Sequence, residues 1–333
     1  MNIPFRTEVR IEHPGWSFGY QTPAFFIGSC FSDHIGNKLK TLKFPVTLNP
    51  FGVLYNPVSI SNALKLALHK QEISNDNLIK HENLWHSFDF HGSFSDILPE
   101  KVTEKCNNAI AEANTFLLQS DFLFITFGTA WVYRFRENGK IVANCHKITA
   151  AGFDRYRLNV NEIIDEWIPL LSNLYQFNPN LKTVFTISPI RHLKDGAHEN
   201  QLSKSTLLLA VDEIMKHFPP DRSYYFPSYE LMMDELRDYR FYDNDMIHIS
   251  ETGIQFIFEK FKETFFSVQS LEIVNLVQPV IQAKQHKLLT KDIQSIKKFS
   301  DLMLHKVKKL MADYPYINFQ NEIQYFKNLG ESE

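Results

Sequence analysis

The stretch Ala24-Phe-Phe-Ile-Gly-Ser-Cys-Phe-Ser32 is the most informative part of this chain about its fold. Its first four residues form an apolar run that ends at Gly28, and this pattern predicts a β-strand. Directly after it, apolar residues recur at helical spacing at Ile35, Leu39 and Leu42, which predicts a helix. A strand that passes through a glycine into a helix is the repeating unit of a parallel α/β sheet.

The same alternation continues along the chain. Residues 122–127 (FLFITF) and 183–187 (TVFTI) are continuous apolar runs, which are typical of strands buried on both faces of a parallel sheet. Shorter strands are predicted at residues 44–48 and 224–226, and a β-hairpin is predicted around the turn at residues 137–139. Further segments have helical periodicity, at residues 57–69, 102–117, 163–174, 202–218 and 253–266. Strands that alternate with helices predict an α/β fold whose parallel sheet is covered on both faces.

Two parts of the chain depart from this pattern. Residues 71–100 are polar and aromatic, which predicts a long irregular excursion. After about residue 268 no strand pattern is present, and residues 284–309 contain eight lysines against two acidic residues. Because these lysines interleave with apolar residues at helical spacing, we interpret them as the solvated face of a helix rather than as a nucleic-acid patch. We therefore divide the chain into a domain at residues 1–267 and a helical, lysine-rich extension at residues 268–333.

Composition excludes several classes of protein. The 333 residues are 44% hydrophobic, with 35 Lys and Arg against 38 Asp and Glu, so the chain is globular and has no general attraction for nucleic acid or anionic membranes. Its three cysteines, Cys30, Cys106 and Cys145, do not form a disulfide framework and indicate a reducing compartment. Residues 1–8 lack the apolar segment of a signal peptide, and no run approaches the roughly 18 apolar residues needed to span a bilayer. We therefore expect a cytoplasmic protein without an integral membrane segment. The sequence does not predict its oligomeric state.

Ligands of parallel α/β sheets bind beyond the carboxyl ends of the strands. In this chain those ends are followed by residues 28–32, 128–131 and 188–192. The first of these segments places Cys30 at a helix N-terminus, where the helix dipole and free N–H groups favour negative charge and a lowered thiol pKa. A small buried thiol that only packs is the alternative, since free cysteines are among the most buried residues.

A second informative element is Asp245-Met-Ile-His248, which is followed by the helix-start residues Ser250 and Glu251. A carboxylate three residues before a histidine can bind its Nδ1–H and leave Nε2 free as a base. Two polar residues in an ordinary surface loop are the alternative interpretation.

The two elements together resemble the SGNH (GDSL-like) hydrolase superfamily, in which a nucleophile follows the first strand and an Asp-x-x-His precedes the last helix. The resemblance is closer to the GSCFA domain family, whose motif residues 28–32 match in four of five positions. It extends over roughly residues 20–265. The other stretches that carry it are residues 49–57, Gly128-Thr-Ala-Trp131, residues 144–147, residues 188–192, Ser203-Lys204 and residues 245–253. This resemblance implies a three-layer α/β/α, flavodoxin-like fold of the SGNH type.

The resemblance also implies a catalytic triad. The superfamily's Gly-Asp-Ser, laid on residues 28–30, makes Cys30 the nucleophile, with Ser29 as the second candidate. His248 is then the base and Asp245 its orienting carboxylate. Thiolate attack on an acyl carbon is sound chemistry for such a set.

The resemblance implies donors for the developing oxyanion as well: the N–H of Cys30, the N–H of Gly52, and an Asn side chain. The expected Asn is replaced by Ala130, so we expect Asn144 or Thr129 to substitute for it.

The remaining candidates concern the substrate and other ligands. Arg191 and His192 follow a strand end and are candidates for an anionic or glycan part of a substrate, with a structural Arg–carboxylate pair as the alternative; Trp131 joins them as a candidate. Cys145 and His146 lack a paired ligand spacing, so we expect no metal and no other cofactor. Cys106 lies on an apolar helix face and is expected in the core.

The function implied is an acyl-ester hydrolase or acyltransferase that acts through a covalent acyl-enzyme on a small-molecule or glycan substrate. The alternative is a catalytically inactive SGNH-fold domain that binds an acylated or glycan ligand.

Overall fold

The computed structural model describes residues 6–286 and 292–331. Within these residues, five parallel strands form a main sheet in the order β2-β1-β5-β9-β10. The strands of the chain are β1 (Ala24–Gly28), β2 (Val46–Leu48), β3 (Leu78–His81), β4 (Leu84–Ser87), β5 (Phe122–Phe127), β6 (Trp131–Phe135), β7 (Ile141–Val142), β8 (Phe153–Arg157), β9 (Lys182–Ile187) and β10 (Ser223–Tyr225). The predicted parallel α/β sheet is therefore confirmed.

Helices cover both faces of this sheet. They are α1 (Cys30–Thr41), α2 (Pro57–His69), α3 (Pro99–Gln119), α4 (Val160–Phe177), α5 (Gly196–Lys216), α6 (Ser228–Glu230), α7 (Glu251–Phe265), α8 (Val268–Gln285), α9 (Ile293–Asp313) and α10 (Gln320–Glu331). Helices α2 to α5 pack in the hydrophobic cluster on one face, while α1 and α7 to α10 pack in the cluster on the other. The architecture is thus three layers, α/β/α.

The central strands explain why the sheet lies between two cores. Successive side chains of a strand point to opposite faces. In β5, Leu123 and Ile125 enter the α2–α5 cluster, whereas Phe122 and Phe124 enter the α1/α7 cluster. All six residues of β5 are buried, which accounts for its unbroken apolar sequence.

Two small sheets lie outside the main one. β3 and β4 form an antiparallel hairpin within residues 71–100, so the prediction of a wholly irregular segment was wrong there. The predicted hairpin of β6 and β7 is present, and β8 adds to its other side, antiparallel to β6. This three-stranded sheet carries Trp131 at its start and so shapes the rim of the site described below.

The C-terminal residues are helical, as expected after residue 268, and Pro279 lies inside α8. The lysines of α9 are exposed while Met303, Val307 and Leu310 on its other face are buried, which confirms a solvated helix face. Lys287 and Lys291, which belong to the same lysine-rich stretch, lie outside the described residues. No helix in the described ranges combines the length and apolarity required to cross a membrane.

Candidate active site

A cavity of about 570 Å³ opens at the carboxyl edge of the main sheet. It brings together segments that are far apart in the sequence: the start of α1, the loop after β5, the β6–β7 hairpin with its following loop, the loop after β9, and the loop before α7. Its lining includes Cys30, Tyr55, Asn56, Thr129, Trp131, Tyr133, Asn144, Cys145, Arg155, Arg191, His192, Lys194, Asp195 and His248. A second cavity, of about 440 Å³ between α1, α7 and α8, contains none of the predicted site residues.

Cys30 is the first residue of α1, as the strand–glycine–helix pattern predicts. Ser29 is the N-cap, and its Oγ accepts a hydrogen bond from the Phe31 N–H at 3.3 Å. Ser29 is 1% exposed and does not line the cavity, whereas Cys30 is partly exposed and does. Of the two candidate nucleophiles, only Cys30 therefore has access to a ligand in this cavity.

The expected lowering of the Cys30 pKa was wrong in direction. Burial raises the pKa of the Cys30 thiol above its ordinary value, and the carboxylate of Asp33 raises it further. The helix N–H groups of Cys30 and Phe31 and the ammonium of Lys204 act in the opposite direction without offsetting this. A thiol in this state would need a base to remove its proton before it could act as a nucleophile.

Asp245 and His248 form a hydrogen-bonded pair that can act as a base. His248 Nδ1 lies 2.5 Å from Asp245 Oδ2, and Asp245 Oδ1 accepts hydrogen bonds from the N–H groups of Ile247 and His248 at 2.9 and 2.8 Å. The His248 hydrogen bonds, first through its side chain and then through its N–H, lower the pKa of Asp245 to about 2. An ionised carboxylate at Nδ1 fixes the tautomer in which Nε2 is unprotonated.

The loop that carries this pair is closed on itself. The Asp243 N–H donates to the His248 carbonyl and the Ser250 N–H donates to the Phe241 carbonyl, both at 2.8 Å. Met246, at the tip, has a φ of 59°. The Asp–His pair is thus held by contacts made within its own short loop.

The predicted oxyanion donors divide into two groups. The Gly52 assignment was wrong: its N–H donates to the Asn49 carbonyl at 2.8 Å, and Gly52 does not line the cavity. The N–H of Cys30 remains a candidate oxyanion donor, because an N–H in the first turn of a helix has no intrahelical carbonyl to bind.

Thr129 and Asn144 both line the cavity, where Asn144 Oδ1 accepts from the His146 N–H and its Nδ2 is the group left to donate. The Thr129 hydroxyl lies 3.1 Å from Ser203 Oγ, which itself accepts a hydrogen bond from the Ala130 N–H at 2.8 Å.

Lys204 is a residue of the site that the sequence interpretation missed. It is 0% exposed, and its Nζ donates hydrogen bonds of 2.6 Å to the carbonyls of Gly128 and Ser188. These carbonyls follow β5 and β9, so the side chain joins two of the loops that form the cavity. Burial lowers the pKa of Lys204 to about 7. The signal in the sequence was its place in the Ser203-Lys204 stretch that resembles the family.

The predicted substrate-binding residues all line the cavity but differ in charge. The Arg191 guanidinium contacts Met233 Sδ at 3.1 Å and forms no ion pair within residues 6–286 and 292–331. Burial, with the charges of Lys204 and His248, lowers the pKa of His192 to about 4, so His192 is neutral at neutral pH. Trp131 presents one ring face to the Arg155 guanidinium at 4.3 Å.

The other two cysteines differ from Cys30. Cys106 is fully buried in the α2–α5 cluster, as predicted, and burial raises its pKa to about 12. Cys145 lines the cavity, and burial raises its pKa to about 11. His146 Nε2–H donates a hydrogen bond of 2.8 Å to the Ser87 carbonyl. Among the described side chains, no group of three or more His, Cys, Asp or Glu residues is arranged to hold a metal ion.

Comparisons with solved structures align this chain with carbohydrate esterases. An acetyl xylan esterase (Est2A) from the rumen bacterium Butyrivibrio proteoclasticus aligns with 12% identity and a TM-score of 0.38, over 73% of this chain and 63% of the esterase. A carbohydrate esterase family 3 protein from Talaromyces cellulolyticus aligns with 8% identity and a TM-score of 0.34, over 78% of this chain and 99% of its own. A family 3 carbohydrate esterase from Clostridium thermocellum aligns with 10% identity and a TM-score of 0.34, over 76% and 97%. No curated protein sequence matches the chain.

Family models match both parts of the sequence. The model of the GSCFA family matches residues 23–261, and that of the GSCFA domain protein C-terminal domain matches residues 277–329. The first match includes both Cys30 and the Asp245–His248 pair, and its extent confirms the resemblance inferred from residues 28–32 and the other motifs. Because it covers more than half of the sequence, the chain belongs to the GSCFA family.

Proposed function

We propose that this protein transfers or hydrolyses acyl esters through a covalent intermediate on Cys30. The observation that carries the proposal is the Asp245–His248 pair, whose geometry leaves Nε2 of a histidine available in the same cavity as the Cys30 thiol. A base held by a carboxylate in one cavity with a nucleophile at a helix N-terminus is an arrangement that supports acyl transfer.

In the first half of the reaction, His248 Nε2 accepts the proton of the Cys30 thiol as Sγ forms a bond to the acyl carbon. The carbonyl oxygen becomes an oxyanion, which the Cys30 N–H binds together with Thr129 or Asn144. His248 then gives its proton to the leaving alkoxide oxygen, the C–O bond breaks, and the acyl group remains on Cys30 as a thioester.

In the second half, a hydroxyl compound attacks the thioester. His248 removes its proton as the new C–O bond forms, and the Cys30 sulfur leaves and regains the proton. Water as the attacking compound completes a hydrolase cycle, whereas a sugar hydroxyl completes a transferase cycle.

A domain that binds an acylated or glycan ligand without turnover is the second candidate. Ala130 in place of the expected Asn, together with the engagement of the Gly52 N–H by Asn49, favours it. Loss of one oxyanion donor costs on the order of 10²–10³ in rate. Whether Thr129 or Asn144 takes the place of the missing donor therefore distinguishes an enzyme from a domain that only binds its ligand.

The first prediction tests the triad with short-chain p-nitrophenyl and thioester substrates. We expect Cys30→Ala and His248→Ala to lower kcat/KM by roughly 10³–10⁴-fold, because the base and nucleophile act as one unit. Asp245→Asn should reduce kcat by a similar order through the wrong tautomer. Ser29→Ala should retain activity and lose about 1 kcal/mol of stability as an N-cap variant.

Cys145→Ala is the matched control, since it removes a second thiol from the same cavity and should leave turnover near the wild-type rate. Activity that survives both Cys30→Ala and His248→Ala would overturn the triad. An inactive wild type whose Cys30 reacts slowly with iodoacetamide at neutral pH would instead favour the binding domain.

A further inference from the structure

We propose that the cavity recognises an anionic group on its substrate, a carboxylate or a phosphate, through Arg191 and Lys194. The inference rests on the proposed function for the identity of the reacting ester, but the anion site itself is argued from the charges of the cavity wall. Both side chains line the same cavity as Cys30 and His248.

The charges of the wall do not cancel. The lining contains three permanent cations, Arg155, Arg191 and Lys194, and one carboxylate, Asp195. Both oxygens of Asp195 are occupied by the guanidinium of Arg155. Two positive charges therefore remain in a chain whose formal net charge is −3.

The partners of these two cations are not carboxylates. Arg191 contacts the sulfur of Met233, a weak acceptor, and the Lys194 ammonium donates to the Tyr133 hydroxyl at 2.8 Å. In the part of the chain that the structure describes, neither side chain lies within ion-pair distance of a carboxylate. The Asp245 carboxylate near the site is also occupied, since it is bound by the His248 side chain and by two N–H groups.

The aromatic residues of the wall favour an anion over a neutral sugar ring. Arg155 covers a face of Trp131 at 4.3 Å and lies 5.4 Å from the ring centre of Tyr133. Lys194 lies 5.5 Å from the same Tyr133 ring. A ring face covered by a cation is not available to stack on a sugar, and the contact keeps the cation in the cavity wall.

The loop after β9 is also held in place before any ligand arrives. Arg155 on β8 binds Asp195 through two parallel N–H···O contacts, a geometry that fixes both partners. Asp195 directly follows Lys194 in a short 3₁₀ turn (Leu193–Asp195). The Arg155–Asp195 pair is therefore a support for Lys194, which leaves Arg191 and Lys194 to contact the anion.

The test compares two reagents that alkylate the same thiol. Iodoacetate carries a carboxylate and iodoacetamide does not. With either reagent, the Cys30 sulfur attacks the methylene carbon and iodide leaves. We expect the iodoacetate-to-iodoacetamide rate ratio at Cys30, followed by mass spectrometry of the modified peptide, to fall about tenfold in Arg191→Met and in Lys194→Met. Arg191→Lys should restore part of the ratio, and added salt should lower it in the wild type.

Arg157→Met is the matched control. Arg157 lies on the same β8 strand as Arg155, but its guanidinium binds Thr206 and it does not line the cavity, so the ratio should not change. A ratio that is the same in wild type, Arg191→Met and Lys194→Met would overturn the anion site.

A second readout uses acetylated glucuronic acid, acetylated glucose 6-phosphate and acetylated glucose as substrates. We expect kcat/KM for one or both charged esters to exceed that for acetylated glucose by about tenfold or more, and the preferred ester identifies carboxylate or phosphate. Equal rates on all three would overturn the proposal for the substrate. If no ester is turned over but the alkylation ratio still depends on Arg191 and Lys194, the acyl-transfer function fails and the anion site stands.

Discussion

Lys204 is a single side chain that determines how two loops of the site meet. Its two hydrogen bonds, to the Gly128 and Ser188 carbonyls, match the two N–H groups of a neutral amine. A third N–H, present only on the ammonium, has no further hydrogen-bond acceptor among the described residues, although Nζ lies 5.8 Å from the centre of the Tyr229 ring. Burial thus shifts Lys204 toward its neutral form and lowers its pKa to about 7 in the folded protein.

This has a consequence for the pH dependence of stability. The folded-state pKa of Lys204 is about 7, while an exposed lysine titrates near 10.5. Between these values the unfolded chain binds a proton that the folded chain does not, so the free energy of unfolding rises with pH across this window. Relative to Lys204→Met, the wild type should gain stability from pH 7 to pH 10 in urea unfolding. Parallel pH profiles for the two proteins would contradict the prediction, and Lys308→Met, an exposed lysine of α9, is the control.

For individual residues, the sequence predicted which side chains line the cavity better than it predicted which polar groups are buried. Cys30 and His248 were predicted to share a site because a helix start and a short Asp-x-x-His spacing are local patterns, and both residues line the cavity. Lys204 was missed because a lysine in a helix is usually solvated, and only the packing of α5 under the sheet edge buries it. The assignment of Gly52 as an oxyanion donor was wrong because its N–H binds the Asn49 carbonyl, within a turn that the sequence does not reveal.

At the scale of elements, the junction between β1 and α1 depends on Gly28. It has a φ of 139°, and a Cβ at this position would lie 2.2 Å from the Thr126 carbonyl oxygen of β5. The Gly28 N–H also donates to Asn49 Oδ1, while Asn49 Nδ2 donates to Asp33. These contacts set the direction in which α1 leaves the sheet and hence the position of Cys30.

We expect Gly28→Ala to lower the free energy of unfolding by about 3 kcal/mol or more, because backbone strain adds to a clash with a strand that cannot move. Gly139→Ala is the control: its φ is 72°, but open space surrounds the added Cβ. That variant should lose only about 1–2 kcal/mol, the strain alone. Denaturant unfolding of both variants measures the difference, and equal losses would show that the approach of β5 is unimportant.

The elements that the sequence predicted are those with a dominant apolar period. Helix α2 begins and ends at the predicted residues, and β5 and β9 follow from their unbroken apolar runs. The hairpin of β3 and β4 and the strand β8 were missed, because they lie outside the main sheet and carry polar residues on exposed positions. Half-exposed strands of this kind resemble loops in composition.

For the molecule as a whole, Glu322 joins the C-terminal helices to the α/β layers. This carboxylate of α10 is 2% exposed and lies 2.6 Å from the Lys43 ammonium and 3.1 Å from that of Lys284. Burial acts to raise the pKa of Glu322, but the two lysines outweigh it and lower the pKa. Helices α8 to α10 also share one hydrophobic cluster with α1 and α7. We propose that the extension at residues 268–333 folds onto the domain rather than apart from it.

Glu322→Gln should therefore destabilise the whole protein in one transition, by about 1–3 kcal/mol at pH 7, since both lysines lose a buried partner but retain some access to water. A carboxylate whose pKa is lower in the folded protein stabilises the fold at pH values above its unfolded-state pKa. This stabilisation is lost as the pH falls through the folded-state pKa. The difference in free energy of unfolding between wild type and Glu322→Gln should therefore become smaller near pH 4 and below. Glu263→Gln, in an exposed pair with Lys260, should cost less than about 1 kcal/mol; equal losses would contradict this account.

The self-closed loop of Asp245 and His248 has a further consequence for how the site is assembled. The base and its orienting carboxylate are built from neighbouring residues, whereas Cys30 belongs to the sheet edge. The proposed catalytic site is therefore made of two preformed parts, and a shift of the loop would separate the proposed base from the proposed nucleophile while each part stayed intact. Substrate or solvent conditions that reposition this loop would switch reactivity without unfolding either part, and reagents that report only on the imidazole or only on the thiol would not detect the change.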